Sequence, residues 1–261
     1  MHRNRDLHSS RIASRVVVLA IALVALVGAS AVFAPVALAQ TVKQYTVAPG
    51  TAWATPLYVI DSGVPGPTVW VIGGTHGNEP AGYQAAARVK DYHIQSGRLI
   101  VLPQANKLAV ENHARYVSST GDLNRNYPTS ASGAPNGQLA AAIWSLMKKY
   151  RPDWLIDMHE GYDFHNVVSA AVGQTAIVYP NAETEKVARM AISKLNAGIA
   201  GTAHDFSLMR WPTPGSHARA AGQFLGAHAL TFETSVKQPL TVRITQQLTM
   251  VNTILTYLHM Q

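Results

Sequence analysis

The 261-residue sequence contains no cysteine. That excludes a disulfide scaffold, a thiolate zinc finger, a cysteine nucleophile and a lipid attached through cysteine. Charged residues make up only 13%. A disordered chain or a coiled coil would be richer in charge. After the first forty residues there is no repeat, low-complexity tract or Pro/Gly/Ser-rich linker. One domain over residues 40–261 is the expectation, long enough for a substantial core.

The formal net charge is +7, and where it sits decides what it means. Arg3, Arg5, Arg11 and Arg15 face one acid, Asp6, in the first fifteen residues. Val16 to Ala34 is almost purely apolar, and Ala37-Leu38-Ala39 follows. A positive start, an apolar run and an Ala-x-Ala exit predict a secretory signal peptide over residues 1–39, cleaved after Ala39. The alternative is an uncleaved membrane anchor, since the run is nearly long enough to span; Gly28, Ser30 and Pro35 favour cleavage. The protein is therefore expected to be secreted or periplasmic, with no stable membrane partner after cleavage. Four of 21 basic and one of 14 acidic residues leave with the signal, so 222 residues remain with a net charge of +4. That is modest, and no nucleic-acid partner is expected. Lys148-Lys149 and Arg151 read more simply as the charged end of a helix.

Apolar patterning predicts strands at Thr68–Ile72, Leu99–Leu102, Trp154–Met158 and His228–Phe232, with more strand within Val167–Tyr179. It predicts helices at Pro80–Gln95, Gln138–Lys149, Glu183–Ala197 and Leu240–His259. Asn106–Pro135 reads as a long functional loop. The alternation implies an α/β fold, a mostly parallel or mixed central sheet flanked by helices.

Four places carry chemistry. His76-Gly77-Asn78-Glu79 follows a strand and enters a helix, so both side chains can turn to one cation, and their N and O donors suit zinc. Alone, the pair reads as a loop histidine and a helix-start acid. His159 follows a second buried strand. A histidine there is more often structural, but two parallel strands open onto the same edge, where two near ligands and a distant third make a catalytic zinc site. Asp122-Leu123-Asn124-Arg125-Asn126-Tyr127-Pro128 is rich in turn formers. Its Arg125 can also clamp a carboxylate, with Asn124 as a neutral donor. Glu233 ends an apolar strand. It is either an exposed acid or a desolvated general base with a raised pKa.

In this order the pieces resemble the succinylglutamate desuccinylase/aspartoacylase branch of the zinc carboxypeptidase family. The matching stretches are Gly74–Glu79, Arg115-Tyr116 with Asp122–Arg125, Asp157-Met158-His159 and Thr231–Thr234. Gln104-Ala105-Asn106 also resembles the family, with Lys107 where proline is usual. The resemblance implies one zinc per chain, held by His76, Glu79 and His159. It implies Glu233 as the base, Arg115 as the group steadying the oxyanion, Asn124 and Arg125 as a substrate-carboxylate clamp, and Asp122 as the residue orienting His76. Tyr162, Tyr179 and the Gly215–Arg219 loop are candidates for the family's mobile tyrosine region; His217 and Arg219 read first as solvated loop residues.

The expected activity is zinc-dependent hydrolysis of an amide next to a carboxylate, on a small-molecule or peptide substrate. Export makes peptides, including cell-wall peptides, a serious competitor to cytosolic acyl amino acids. One helix after Glu233 leaves no room for the extra domain that narrows the entrance in intracellular deacylases, so an open pocket is expected. The rival class is a non-catalytic metal- or peptide-binding module with a degenerate site.

Overall fold

A computed structural model describes residues 39–261. Apart from Ala39, the expected signal segment lies outside the described residues. Among the described residues no helix is long and apolar enough to cross a membrane.

The chain runs β1 (Thr41–Val47), β2 (Thr55–Asp61), β3 (Thr68–Ile72), α1 (Pro80–Val89), β4 (Arg98–Leu102) and α2 (Lys107–Glu111). A 3₁₀ turn, Leu123–Arg125, precedes α3 (Gln138–Tyr150) and β5 (Trp154–Gly161). Then follow β6 (Thr175–Val178), α4 (Ala182–Asn196), β7 (Ser207–Arg210), α5 (His217–Ala220), β8 (His228–Ser235) and α6 (Leu240–Tyr257). The eight strands form one mixed sheet in the order β1-β2-β4-β3-β5-β8-β6-β7. Its centre, β4-β3-β5-β8, is parallel. β2 and β6 pair antiparallel on either side of that centre.

Central strands covered on both faces must be apolar throughout. Val69, Trp70, Val71 and Ile72 of β3 are accordingly all buried. Val69, Val71, Ile156, Leu230 and Phe232 pack beneath α1, α4 and α6. Trp70, Ile72, Leu155 and Ala229 pack beneath α3 and α5.

Several element boundaries differ from the sequence expectation. The first helix stops at Val89, not Gln95. Ile94 is nevertheless buried in the core, which is why the apolar spacing continues past the helix. Gln40 holds that stretch instead, accepting from Ile94 N at 2.7 Å and donating to Tyr92 O at 3.0 Å. The Asn106–Pro135 loop contains α2 and the 3₁₀ turn. Strand within Val167–Tyr179 is confined to Thr175–Val178. β5 and β8 run three residues beyond their expected ends. β1, β2 and β7 went unread; six of the seven β1 residues are exposed, leaving no apolar pattern to read.

Helix α1 lies close against β5. A Cβ on Gly82 would fall 2.5 Å from the Met158 carbonyl oxygen. Gly82→Ala is therefore expected to destabilise the protein by about 1–3 kcal/mol, by forcing backbone apart in a packed core. Denaturant unfolding measures this, and wild-type stability would contradict the close-packing argument.

Candidate metal centre

The parallel strands β4, β3, β5 and β8 deliver their C-terminal ends to one edge of the sheet, where ligand sites in α/β folds form. From β3 the chain passes through Gly73–Glu79 into α1. Gly77 lets this loop lie on α2, since a Cβ there would meet Ala109 O at 1.9 Å. The loop sets His76 and Glu79 beside β5, whose period of two turns Asp157 and His159 to one face. His159 is in register with Glu233 on β8, so their side chains are neighbours on that face.

The structure brings His76, Glu79 and His159 together, all buried. His76 Nδ1 lies 2.7 Å from Glu79 Oε1, and His159 Nδ1 lies 2.8 Å from Glu79 Oε2. The two Nδ1 atoms face each other at 3.2 Å. Each ring turns its other nitrogen to a carboxylate. His76 Nε2 is 3.0 Å from Asp122 Oδ1, and His159 Nε2 is 3.1 Å from Asp157 Oδ1. Carboxylates on the outer nitrogens fix the tautomers and leave the inner ones as donors to a metal. Two nitrogen lone pairs and a carboxylate aimed at one point fit a zinc ion.

Three carboxylates around two imidazoles also shape the titration. Burial alone would lower both histidines. The charges of Asp157 and Glu79 outweigh it and hold His159 well above its ordinary value, while Glu79 and Asp122 raise His76. Burial acts to raise Asp122 and Asp157, yet their histidine partners keep both well below the usual carboxylate range. Glu233 has no such compensation. Burial, only partly offset by His159, pushes its carboxyl up to about 8.

Arg115 arrives from the far side. Its Nη2 donates to Asp122 Oδ2 at 3.0 Å, and its Nη1 is 3.6 Å from Glu79 Oε1. Arg125 donates to Asn124 O at 2.7 Å. Asn124 is more engaged than a free clamp: its Nδ2 is 3.4 Å from His159 Nε2, and its Oδ1 accepts from His217 N at 3.4 Å. A cavity of about 150 Å³ is lined by His76, Glu79, Arg115, Asn124, Arg125 and Glu233 among others.

The catalytic-domain model of the succinylglutamate desuccinylases and aspartoacylases matches residues 65–258. The chain belongs to the succinylglutamate desuccinylase/aspartoacylase family. It is thereby homologous to hydrolases, and its mixed α/β sheet is the carboxypeptidase-like fold. Apo cell shape determinant Csd4 from Helicobacter pylori superimposes with a TM-score of 0.66 at 20% identity, over 85% of this chain and 55% of that one. Csd4 has also been solved with a tripeptide and with mDAP. A family member from Rhodobacter sphaeroides gives 0.63 at 18% identity, over 85% and 66% of the two chains. A putative metallopeptidase from Shewanella amazonensis gives 0.64 at 18%, over 83% and 87%. The chain spans about half the length of the Csd4 chains. No curated protein matches it.

The structure corrects one expectation at this site. His217 is not solvated but fully buried. Ser216 Oγ caps α5 by accepting from Arg219 N, and the short helix turns His217 inward. Its Nδ1 lies 3.3 Å from Asp157 Oδ2, and its ring packs on Tyr127 with centroids 4.0 Å apart. Arg219 is half-buried over Trp211, its guanidinium 4.7 Å from the ring centre. Tyr179 packs edge-on against the same tryptophan, and Tyr162 is exposed.

Sequence reasoning missed the supporting role of Asp157, although its place two residues before His159 on a strand was a readable signal. It also missed Glu160, Arg243 and Gln247, which no local pattern marks.

The raised carboxyl of Glu233 has a consequence for stability. Folding favours its neutral form, so its contribution is complete below the ordinary value of 4.5 and is lost as pH rises towards about 8. In metal-free protein this loss amounts to at most about 1.4 kcal/mol per pH unit. Glu233→Gln is expected to flatten that decline in thermal melts across the window. An unchanged slope would remove Glu233 as its source.

Proposed function

We propose that this chain is an exported zinc hydrolase that cleaves an amide bond next to a carboxylate. The observation that carries the reading is the convergence of His76, His159 and Glu79 beside Glu233. These residues would hold one zinc ion, with Asp122 and Asp157 fixing the two imidazoles. Zinc, when bound, supplies Lewis acidity to a carbonyl and acidifies water.

The chain's own residues do the rest. Glu233 takes a proton from the attacking water and returns it to the leaving amine. A carboxyl raised towards neutral pH suits both directions. Arg115 offers its guanidinium to the oxyanion as charge develops. Arg125, with Asn124 beside it, receives the substrate carboxylate. A peptide is favoured over a small acyl amino acid for two reasons. The basic start, apolar run and Ala-x-Ala at residues 1–39 support export, and the Csd4 structures with a tripeptide and with mDAP support peptide chemistry on this fold.

Hydrolysis of a peptide panel against an acyl-amino-acid panel tests the substrate class. Elemental analysis should find about one zinc per chain, lost in His76→Ala; undiminished zinc in that variant would sink the ligand assignment. Glu233→Gln should keep zinc and lose about 10²- to 10⁴-fold in kcat. Near-normal turnover would reject Glu233 as the base. Zinc uptake with no hydrolysis on either panel would favour the binding-module reading.

A further inference from the structure

Glu79 begins α1 at the N-cap position, where a side chain ordinarily accepts from the first-turn N–H groups. It makes no such bond. Both its oxygens are turned away, onto His76 and His159. Pro80, the next residue, has no N–H, so the Ala81 N–H is the first donor in need of a partner. That donor is satisfied from another element. Glu160 Oε2 accepts from Ala81 N at 2.8 Å.

Glu160 is placed for this by strand alternation. It follows His159 on β5 and points to the opposite face, towards α1 and α6. Its other oxygen, Oε1, is paired with Arg243 Nη1 of α6 and lies 3.5 Å from Thr234 Oγ1. The carboxylate is fully buried and Arg243 nearly so. Meanwhile the Glu160 backbone N–H donates to Glu79 Oε2 at 3.1 Å. One residue thus holds the ligand carboxylate by its main chain and replaces that carboxylate at the helix start by its side chain.

We infer that Glu160 is a positioning residue, a surrogate N-cap that frees Glu79 to face the metal. The inference rests on the zinc reading above. Without an acceptor at residue 160, the helix start competes for Glu79, and Glu79 swings towards Ala81 N. A negative charge at a helix N-terminus is favourable in itself, and Arg243 neutralises it in the buried setting.

Two double variants separate this role from that of a simple ion pair. Glu160→Met/Arg243→Met removes the acceptor without leaving a buried charge. Glu160→Gln/Arg243→Met removes the same ion pair but keeps an amide oxygen for Ala81 N. Zinc affinity, measured by competition with a chromophoric chelator, should fall about 10- to 100-fold in the first and stay within about threefold of wild type in the second. Equal losses in both, or no loss in the first, would overturn the inference. Amide exchange in the wild-type protein tests the cap without zinc or either variant. The Ala81 amide should exchange as slowly as interior amides of α1, and exchange at the rate of an exposed amide would overturn the proposal. Should the wild-type chain take up no zinc, the metal reading fails, and that exchange rate alone decides whether Glu160 caps the helix.

Discussion

Two buried imidazole nitrogens 3.2 Å apart are the constraint on which the rest of the site depends. Neither can donate to the other unless it carries a proton, and burying an unpaired polar atom is costly. The pair persists because carboxylates surround it: Glu79 between the rings, Asp122 and Asp157 behind them. Each of those acids then needs support of its own. Arg115 and the Asn124 N–H serve Asp122, Thr75 and His217 face Asp157, and the Glu160 N–H serves Glu79. The polar centre grows outward through these partners as far as His217, whose Nε2 is buried without a hydrogen-bond partner among the described residues. Each added partner lowers the cost of burying these charges, so the donor set and its supports act as one unit.

The sheet makes that network possible. Parallel pairing of β3, β5 and β8 puts Ile72 beside Asp157 and His159 beside Glu233. Residues more than 70 apart in sequence thereby meet without a long side chain. Helix α6 braces the same edge from below, where Gln247 Nε2 donates to His159 O at 2.8 Å. The carbonyl of a residue whose side chain faces the cavity is thus held by a helix in the opposite layer.

Much of this was legible in the chain. His159 and Glu233 stand at the ends of apolar runs, and His76 and Glu79 lie in the loop that follows another; apolar runs of this kind are buried central strands. The strands therefore announced the edge, and the polar residues just past them announced the site. What escaped has a common cause. β1 is an exposed edge strand with no pattern to read. Ile94 continues the apolar spacing of α1 from a loop. His217 looked like a loop residue because its burial depends on Tyr127 and Asp157, which are distant in sequence. Arg243 and Gln247 are ordinary helix residues until the tertiary fold sets them against β5. Local patterning shows which segments are buried; it does not show which buried polar groups will find each other.

The strand β5 shows how tightly the two kinds of information are joined. Its alternation sends Asp157 and His159 to one face and Glu160 to the other, into two different layers of the protein. A slip of one residue in register would exchange those faces. His159 would enter the apolar layer beneath α1 and α6, and the Glu160 carboxylate would point among the other acids. The apolar neighbours Ile156 and Met158, which belong to the first layer, and Leu155, which belongs to the second, oppose that slip. The same packing that stabilises the sheet therefore sets which polar side chains reach the cavity, and the chemistry at the edge inherits its geometry from the core.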